Sequence, residues 1–329
     1  MSMERTDHQH HRMLSKIQDF IQSEDDFLIT SHIHPDGDSI ASVLVFGSIL
    51  KQLGKRYQIL LDDRVPRKFD FLSGIDEVSC IDDASLSFSP RVLITLDSSN
   101  LERIGRVQAV IPGNIPVINI DHHLSNETFG TLNLVNAEES STVEIVYDLY
   151  SSMNLPFSAD VATYIYTGIL CDTGRFLFPN TTSRSLAICS EMIEYGASPD
   201  TIADKLYFRM SRDTVHALAS ALSTLEFHFD GVVSCIYLAN GAYSGSDRID
   251  TEGFVDFLLA IDQTEVEFLM VEKEPNLFRI SFRSKNKVDV NEVAKHFGGG
   301  GHTRASGCTL SGTVGDVKQK ILDVLEGYL

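Results

Sequence analysis

Aspartate and histidine recur in this chain at positions where they could act together. His32, Asp36 and Asp38 lie within seven residues; Asp97 follows the apolar run VLITL; Asp121-His122-His123 follows VINI; and Asp172 opens the turn Asp172-Thr173-Gly174. Gathered in one pocket, so many acids need a counter-charge, because burying unpaired carboxylates is costly. Divalent cations provide it. Imidazole with several carboxylates and no thiolate suits manganese, zinc or iron better than calcium. One bridging carboxylate would leave ligands enough for two ions, the arrangement that stabilises both the attacking and the leaving oxygen in phosphoryl transfer. A single strand-end aspartate is ordinarily a turn or cap residue. That bland reading does not account for all four groups in order.

The elements that must position these groups are legible as an alternation. Phe27–Ser31, Tyr57–Leu61, Val92–Leu96 and Val117–Ile120 are short apolar runs, as strands of a parallel sheet buried on both faces read. Helical periodicity fills Ser39–Leu53, stopping at Gly54, and returns at Thr142–Met153, Asp160–Leu170 and Ser183–Tyr195. The fold class is therefore α/β. In open parallel sheets ligands bind just beyond the carboxyl ends of the strands, where His32, Asp97 and Asp121 fall. Residues 1–185 are expected to form the catalytic domain, 186–224 a helical connector, and 225–329 a smaller α+β domain, with the active site in the cleft between the two domains. The smaller domain should begin with a hairpin around Asp230-Gly231. Strands at Glu265–Val271 and Leu277–Phe282, a helix at Val290–Phe297, a four-glycine loop and a last helix near Val314–Leu325 should follow.

That glycine loop, Gly298 to Gly301, runs into His302-Thr303-Arg304 and could bring backbone amides close to an anion. Phe282-Arg283-Ser284-Lys285 adds positive charge nearby in sequence. Arg103 and Arg106 read as helix-face residues rather than substrate ligands.

Of 329 residues, 46 are acidic and 27 basic, a formal charge of −19. That balance excludes a generally basic groove for long duplex nucleic acid, which needs many Lys/Arg–phosphate contacts. A small anion held by metal and a few bases remains open. No apolar run reaches the roughly 18 residues of a membrane span, and the N-terminus lacks a signal-like apolar core, so a cytoplasmic protein without membrane association is expected. The five cysteines are scattered without a CxxC pair and read as reduced packing residues rather than a disulfide scaffold or thiolate zinc site. His8, His10 and His11 read as part of a mobile, solvated tail.

These motifs resemble the four signature motifs of the DHH phosphoesterase superfamily, and the segment from Gly298 to Gly307 resembles the glycine-rich motif of the DHH-associated domain. Size and the lack of extra domains are most similar to its NrnA-type nanoRNases. The resemblance implies that His32 and Asp36 bind one metal, that Asp38, His122 and Asp172 bind a second, and that Asp97 bridges them, with manganese the favoured ion and a water between the ions as nucleophile. It implies that His123 faces the scissile phosphate and that Asp121 orients it. Gly299, Gly300, Gly301 and His302 would contact phosphate, and Arg283 with Ser284 the terminal phosphate or base. The resemblance has one departure: such motifs usually carry a glycine shortly after the second aspartate, where this chain has Ala41. The implied activity is hydrolysis of very short RNA or linear dinucleotides to 5′-mononucleotides, with 3′-phosphatase action on a nucleoside 3′,5′-bisphosphate. Cyclic-dinucleotide turnover and a non-catalytic nucleotide sensor are the alternatives. A pyrophosphatase would share the first-domain motifs but not the GGGGHTRASG segment. Homo-oligomerisation is left open.

Overall fold

The computed structural model describes residues 2–242, 251 and 253–329. The chain divides into two compact units, Met1–Arg209 and Met210–Leu329.

The first unit runs α1 (Ser2–Ser23), β1 (Phe27–Ser31), α2 (Gly37–Gln52), β2 (Tyr57–Leu61), β3 (Val78–Cys80), β4 (Val92–Leu96), β5 (Val117–Asp121), β6 (Leu132–Val135), α3 (Thr142–Ser152), α4 (Ala159–Asp172), α5 (Ser183–Glu194) and α6 (Pro199–Tyr207). Its six strands are ordered β3-β2-β1-β4-β5-β6, and every pairing is parallel. The order reverses between β1 and β4, which creates the crevice where such sheets bind ligands. One sheet face and the helices share the main core, through Phe27, Ile29, Ile94 and Ile118. The opposite face is capped by Ile104 and Val107 against Leu28, Leu60 and Leu93. Both faces are thus dry, which explains the unbroken apolar strands.

The N-terminal segment corrects the reading of a solvated tail. It belongs to α1, whose Leu14, Ile17 and Ile21 enter the main core, and His10 Nε2 lies 3.1 Å from Asp148 Oδ2 on α3. The His8 side chain falls outside the described residues.

The second unit runs α7 (Arg212–Leu222), β7 (Glu226–His228), β8 (Val233–Leu238), β9 (Val266–Glu274), β10 (Leu277–Ser284), α8 (Val290–Lys295), β11 (Gly300–His302), β12 (Ala305–Ser311) and α9 (Val314–Leu325). The sheet order is β11-β12-β10-β9-β8-β7; β8 and β9 are parallel and the other pairs antiparallel. One face packs on α8 and α9, the other on α7 and the 3₁₀ segment Val255–Ala260. The expected connector is shared out by burial: Ile188, Cys189, Met192 and Ile202 join the first unit's core, and Ala217, Leu218 and Ala221 the second's.

The four-glycine run is not a loop throughout. Gly300–His302 form β11 against β12. A Cβ on Gly299 would meet the Gly307 carbonyl oxygen at 2.1 Å, and one on Gly301 (φ +147°) the Ala305 carbonyl oxygen at 2.5 Å. Close strand approach therefore accounts for these two glycines.

Candidate metal centre and its surroundings

The carboxyl edge of the first sheet collects the predicted acids and imidazoles. After β1 the chain passes through His32 and a left-handed His34 (φ +57°) to Asp36. Asp36 caps α2, accepting from the N–H groups of Asp38 and Ser39, both at 3.1 Å. Asp38 sits in the first turn of α2 and is 1% exposed. Its carboxylate reaches the start of α3, where it accepts from the Thr142 and Val143 N–H groups at 2.6 and 2.9 Å. A helix N-terminus, with its orphan donors and positive dipole end, suits that charge.

Asp97 follows β4 in the left-handed region (φ +57°), a conformation that Asp tolerates better than most residues. Its Oδ2 lies 3.3 Å from His32 Nε2, which is also 3.8 Å from Asp36 Oδ1. Its Oδ1 accepts from the Thr142 hydroxyl at 2.9 Å and lies 3.8 Å from His122 Nε2. His122 Nε2 in turn is 3.5 Å from Asp172 Oδ2 at the end of α4. Potential ligand atoms of His32, Asp36 and Asp97 fall within 4.8 Å of one another, as do those of Asp38, Asp97 and His122. Asp97 is common to both groups.

His123 is held by Asp121. Its Nδ1 lies 2.7 Å from Asp121 Oδ1, whose other oxygen accepts from Asn126 Nδ2 at 2.6 Å. Asn126 also donates to Asn119 Oδ1 at 2.9 Å, and Asn119 donates to the Ser98 carbonyl at 3.0 Å. A chain of side-chain amides, buried at Asn119, thereby fixes the carboxylate behind His123. Asn180 donates to the Asp172 carbonyl at 3.1 Å.

Electrostatics follow from this crowding. Burial pushes Asp38 well above the usual carboxylate range, and the charges of Asp97, Asp172 and Asp36 push the same way. Burial lifts Asp172 to about 7 against the opposing pull of His122. For Asp97 burial is outweighed by the hydrogen bond from His32 and the nearby imidazoles, which hold it far below the ordinary range. Burial pulls His123 down, but the bond to Asp121 and the charge of Asp97 outweigh it and raise it to about 9. Carboxylates forced toward their neutral form beside imidazoles make a donor set that fits divalent cations.

In the second unit the predicted substrate residues separate. Arg283 and Ser284 are adjacent on β10, so their side chains leave opposite faces. Ser284 is 5% exposed, and its hydroxyl donates to the Val288 carbonyl at 2.7 Å; it therefore does not join Arg283. Arg283 Nε donates to Asp256 Oδ1 at 2.9 Å. Arg304 donates to the carbonyls of Asn286 and Val288, bracing that turn. His302 is exposed at the end of β11, and Gly300 is open where its neighbours are packed. Arg106 is engaged by Asp62 and Asp82, in keeping with a role away from substrate.

Sequence reasoning missed Thr142, Asn119, Asn126 and Asn180. One signal was present: Asn119 is a polar residue inside the apolar strand VINI, where an amide must have a partner.

Comparison with known proteins gives matches over both units. Residues 26–169 match the DHH family, N-terminal domain, and residues 232–329 match the DHHA1 domain. The chain is 34% identical, over 91% of its length and 87% of the relative's, to the bifunctional oligoribonuclease and PAP phosphatase NrnA of Thermus thermophilus. It is 28% identical to the protein of the same name from Bacillus subtilis, over 87% of this chain and 90% of that one. Among solved structures, an exopolyphosphatase-related protein from Bacteroides fragilis superposes with a TM-score of 0.89 at 28% identity, covering 97% of this chain and 96% of that one.

Proposed function

The chain belongs to the DHH family, with a DHHA1 domain in its second unit, and on that footing we propose that it is a metal-dependent phosphoesterase acting on very short oligoribonucleotides and linear dinucleotides. The products are 5′-mononucleotides, and the same site removes the 3′-phosphate of a nucleoside 3′,5′-bisphosphate. The observation that carries this reading is the meeting of His32, Asp36, Asp38, His122 and Asp172 around Asp97 at the sheet's switch point.

His32 and Asp36 would hold one ion, Asp38, His122 and Asp172 a second, and Asp97 both, with manganese favoured. When bound, the ions supply Lewis-acid stabilisation of phosphoryl oxygens and lower the pKa of water. The chain's own groups do the rest. Asp121 orients His123 through Nδ1 and so presents Nε2 to the scissile phosphate. The Thr142 hydroxyl fixes the rotation of the Asp97 carboxylate. Arg283, with His302 and the amides near Gly300, would take the far phosphate or base.

Substrate length tests the reading. A strand beyond the first few nucleotides would cross a surface of net charge −19 without the basic track that long single strands need. Steady-state kinetics with manganese on 5′-phosphorylated RNAs, from two to about 24 nucleotides, should show kcat/KM falling steeply beyond about ten. Salt dependence should be shallow, since each engaged phosphate adds only about −0.7 to the log–log slope. Equal processing of the longest RNA with a steep salt slope would overturn the proposal in favour of a processive exonuclease. Hydrolysis of pyrophosphate or cyclic dinucleotide ahead of the dinucleotides would overturn the substrate class.

A further inference from the structure

We propose a separate zinc-class site in the second unit, formed by Glu226, His228 and Cys235, which pins the edge strand β7 to β8. Register creates it. Glu226 lies directly opposite Cys235 in the antiparallel pair, and His228 is two residues further along β7. Alternation therefore sends all three side chains to one face, the face covered by α8 and α9.

The spacing agrees with tetrahedral coordination. Zinc bonds of about 2.3 Å to sulfur and about 2.0–2.1 Å to nitrogen or oxygen put S and N roughly 3.5 Å apart, and N and O roughly 3.3 Å apart. Here Cys235 Sγ lies 3.7 Å from His228 Nε2, and His228 Nε2 lies 3.4 Å from Glu226 Oε2. The three ligand atoms fall within 4.8 Å of one another. Cys235 is 2% exposed, while the carboxylate of Glu226 is half in solvent, so ion entry is open and a water completes the fourth position. A thiolate, an imidazole and a carboxylate select a borderline-soft ion over calcium or magnesium. Spacing along the sequence gives no hint of this, since only strand pairing joins residues 226 and 235.

One cation already sits at the carboxylate: Lys318 Nζ on α9 lies 2.6 Å from Glu226 Oε2. It marks the position as anionic, and it competes. On binding, the Cys235 S–H bond breaks, a metal–sulfur bond forms, the thiol proton passes to buffer, and the Lys318 ammonium swings to solvent.

Cobalt(II) distinguishes this site from the catalytic one, whose proposed ligands include no thiolate. Titrating the full chain with Co²⁺ should produce a near-ultraviolet thiolate-to-cobalt charge-transfer band, quenched by stoichiometric Zn²⁺. Cys235→Ser should abolish the band while manganese-supported turnover is retained, which shows that the variant is folded. His228→Ala should weaken binding, and Lys318→Met should tighten it several-fold. Zn²⁺ should raise the melting temperature of the parent chain more than that of Cys235→Ser. Absence of the band, or its persistence in Cys235→Ser (which would assign it to another cysteine such as Cys171), overturns the proposal. Unaltered affinity in both the His228 and Lys318 variants would do the same.

Discussion

Gly168 on α4 faces the methyl of Ala41 on α2 so closely that a Cβ at Gly168 would lie 2.9 Å from the Cβ of Ala41 and 2.7 Å from Cγ1 of Val143. The first turn of α2 carries Asp38, α4 ends at Asp172, and α3 begins at Thr142. This contact therefore sets the spacing between proposed metal ligands. The Ala41 methyl fits at this crossing because Gly168 carries no side chain there.

Gly168→Ala should accordingly destabilise the first unit. A helical glycine-to-alanine change gains up to about 1 kcal/mol in propensity, but overpacking a dry core costs about 1–3 kcal/mol. Ala41 and Val143 are both fully buried, so overpacking wins. Thermal unfolding should show a lower melting temperature, and bound manganese should fall. Ala41→Gly added to it should recover only part of the loss, since Val143 remains. An unchanged melting temperature and metal content would refute the coupling.

Asp97→Asn should abolish turnover and lower occupancy of both ions, because its two oxygens face both ligand groups. Asn tolerates the left-handed backbone at this position as well as Asp does, so the change tests charge rather than conformation. Asp121→Asn should cost less, about 10–100-fold, as loss of an orienting partner does. Metal content and kcat measured together check both. Near-normal activity of Asp97→Asn with manganese would dismiss the bridging assignment.

Arg283→Ala should raise KM much more than it lowers kcat, with bound manganese unchanged. Arg283 already bonds Asp256, so substrate phosphate must compete with that carboxylate. Asp256→Asn should then lower KM. Loss of metal in Arg283→Ala would instead make the residue a support of the fold.

Glu267 predicts a pH effect on stability. It is fully buried on β9 opposite Arg283, and burial raises it from 4.5 to about 7 despite Lys285 and Arg283. A carboxyl raised in the folded state favours folding below its unfolded value and loses that contribution as pH rises through 4.5 to about 7. Across that window the loss amounts to about 3–4 kcal/mol at most, because a tenfold change in proton activity is worth about 1.4 kcal/mol. Glu267→Gln should flatten the melting-temperature profile over the same range and stabilise the chain at pH values above about 7. Parallel profiles for the two proteins would rule this out.

Much of the first unit was legible because parallel strands with both faces dry read as unbroken apolar runs, and each proposed ligand follows such a run or ends a periodic helix. β6 and β12 were not. Leu132–Val135 is only four residues long, and Ala305–Ser311 carries small and polar residues whose pairing is set by glycine packing rather than by side-chain pattern. α1 escaped because its apolar stripe (Leu14, Ile17, Ile21) is preceded by a polar, histidine-rich stretch that reads as solvated. At the site, side chains with charge were found and the neutral ones that orient them were not: Thr142, Asn126 and Asn180 act through positions that only the fold brings near. Ser284 was misjudged because strand alternation sends it away from Arg283.

The clasp between Asp38 and the first N–H groups of α3 spans 104 residues of chain. At about 5–20 residues per second, synthesis takes roughly 5–20 s to cover that distance. Throughout that interval the emerging β1–α2 segment displays Asp36 and Asp38 without the donors that later hold Asp38, and without the Asp97–His122 half of its ion cage for most of it. By the proposed assignment His32, Asp36 and Asp97 are all made by residue 97, whereas the second ligand group lacks Asp172 until α4 is complete. Loading of the second proposed ion then has to follow synthesis of α4, and a fragment ending before Asp172 lacks one of that ion's proposed ligands.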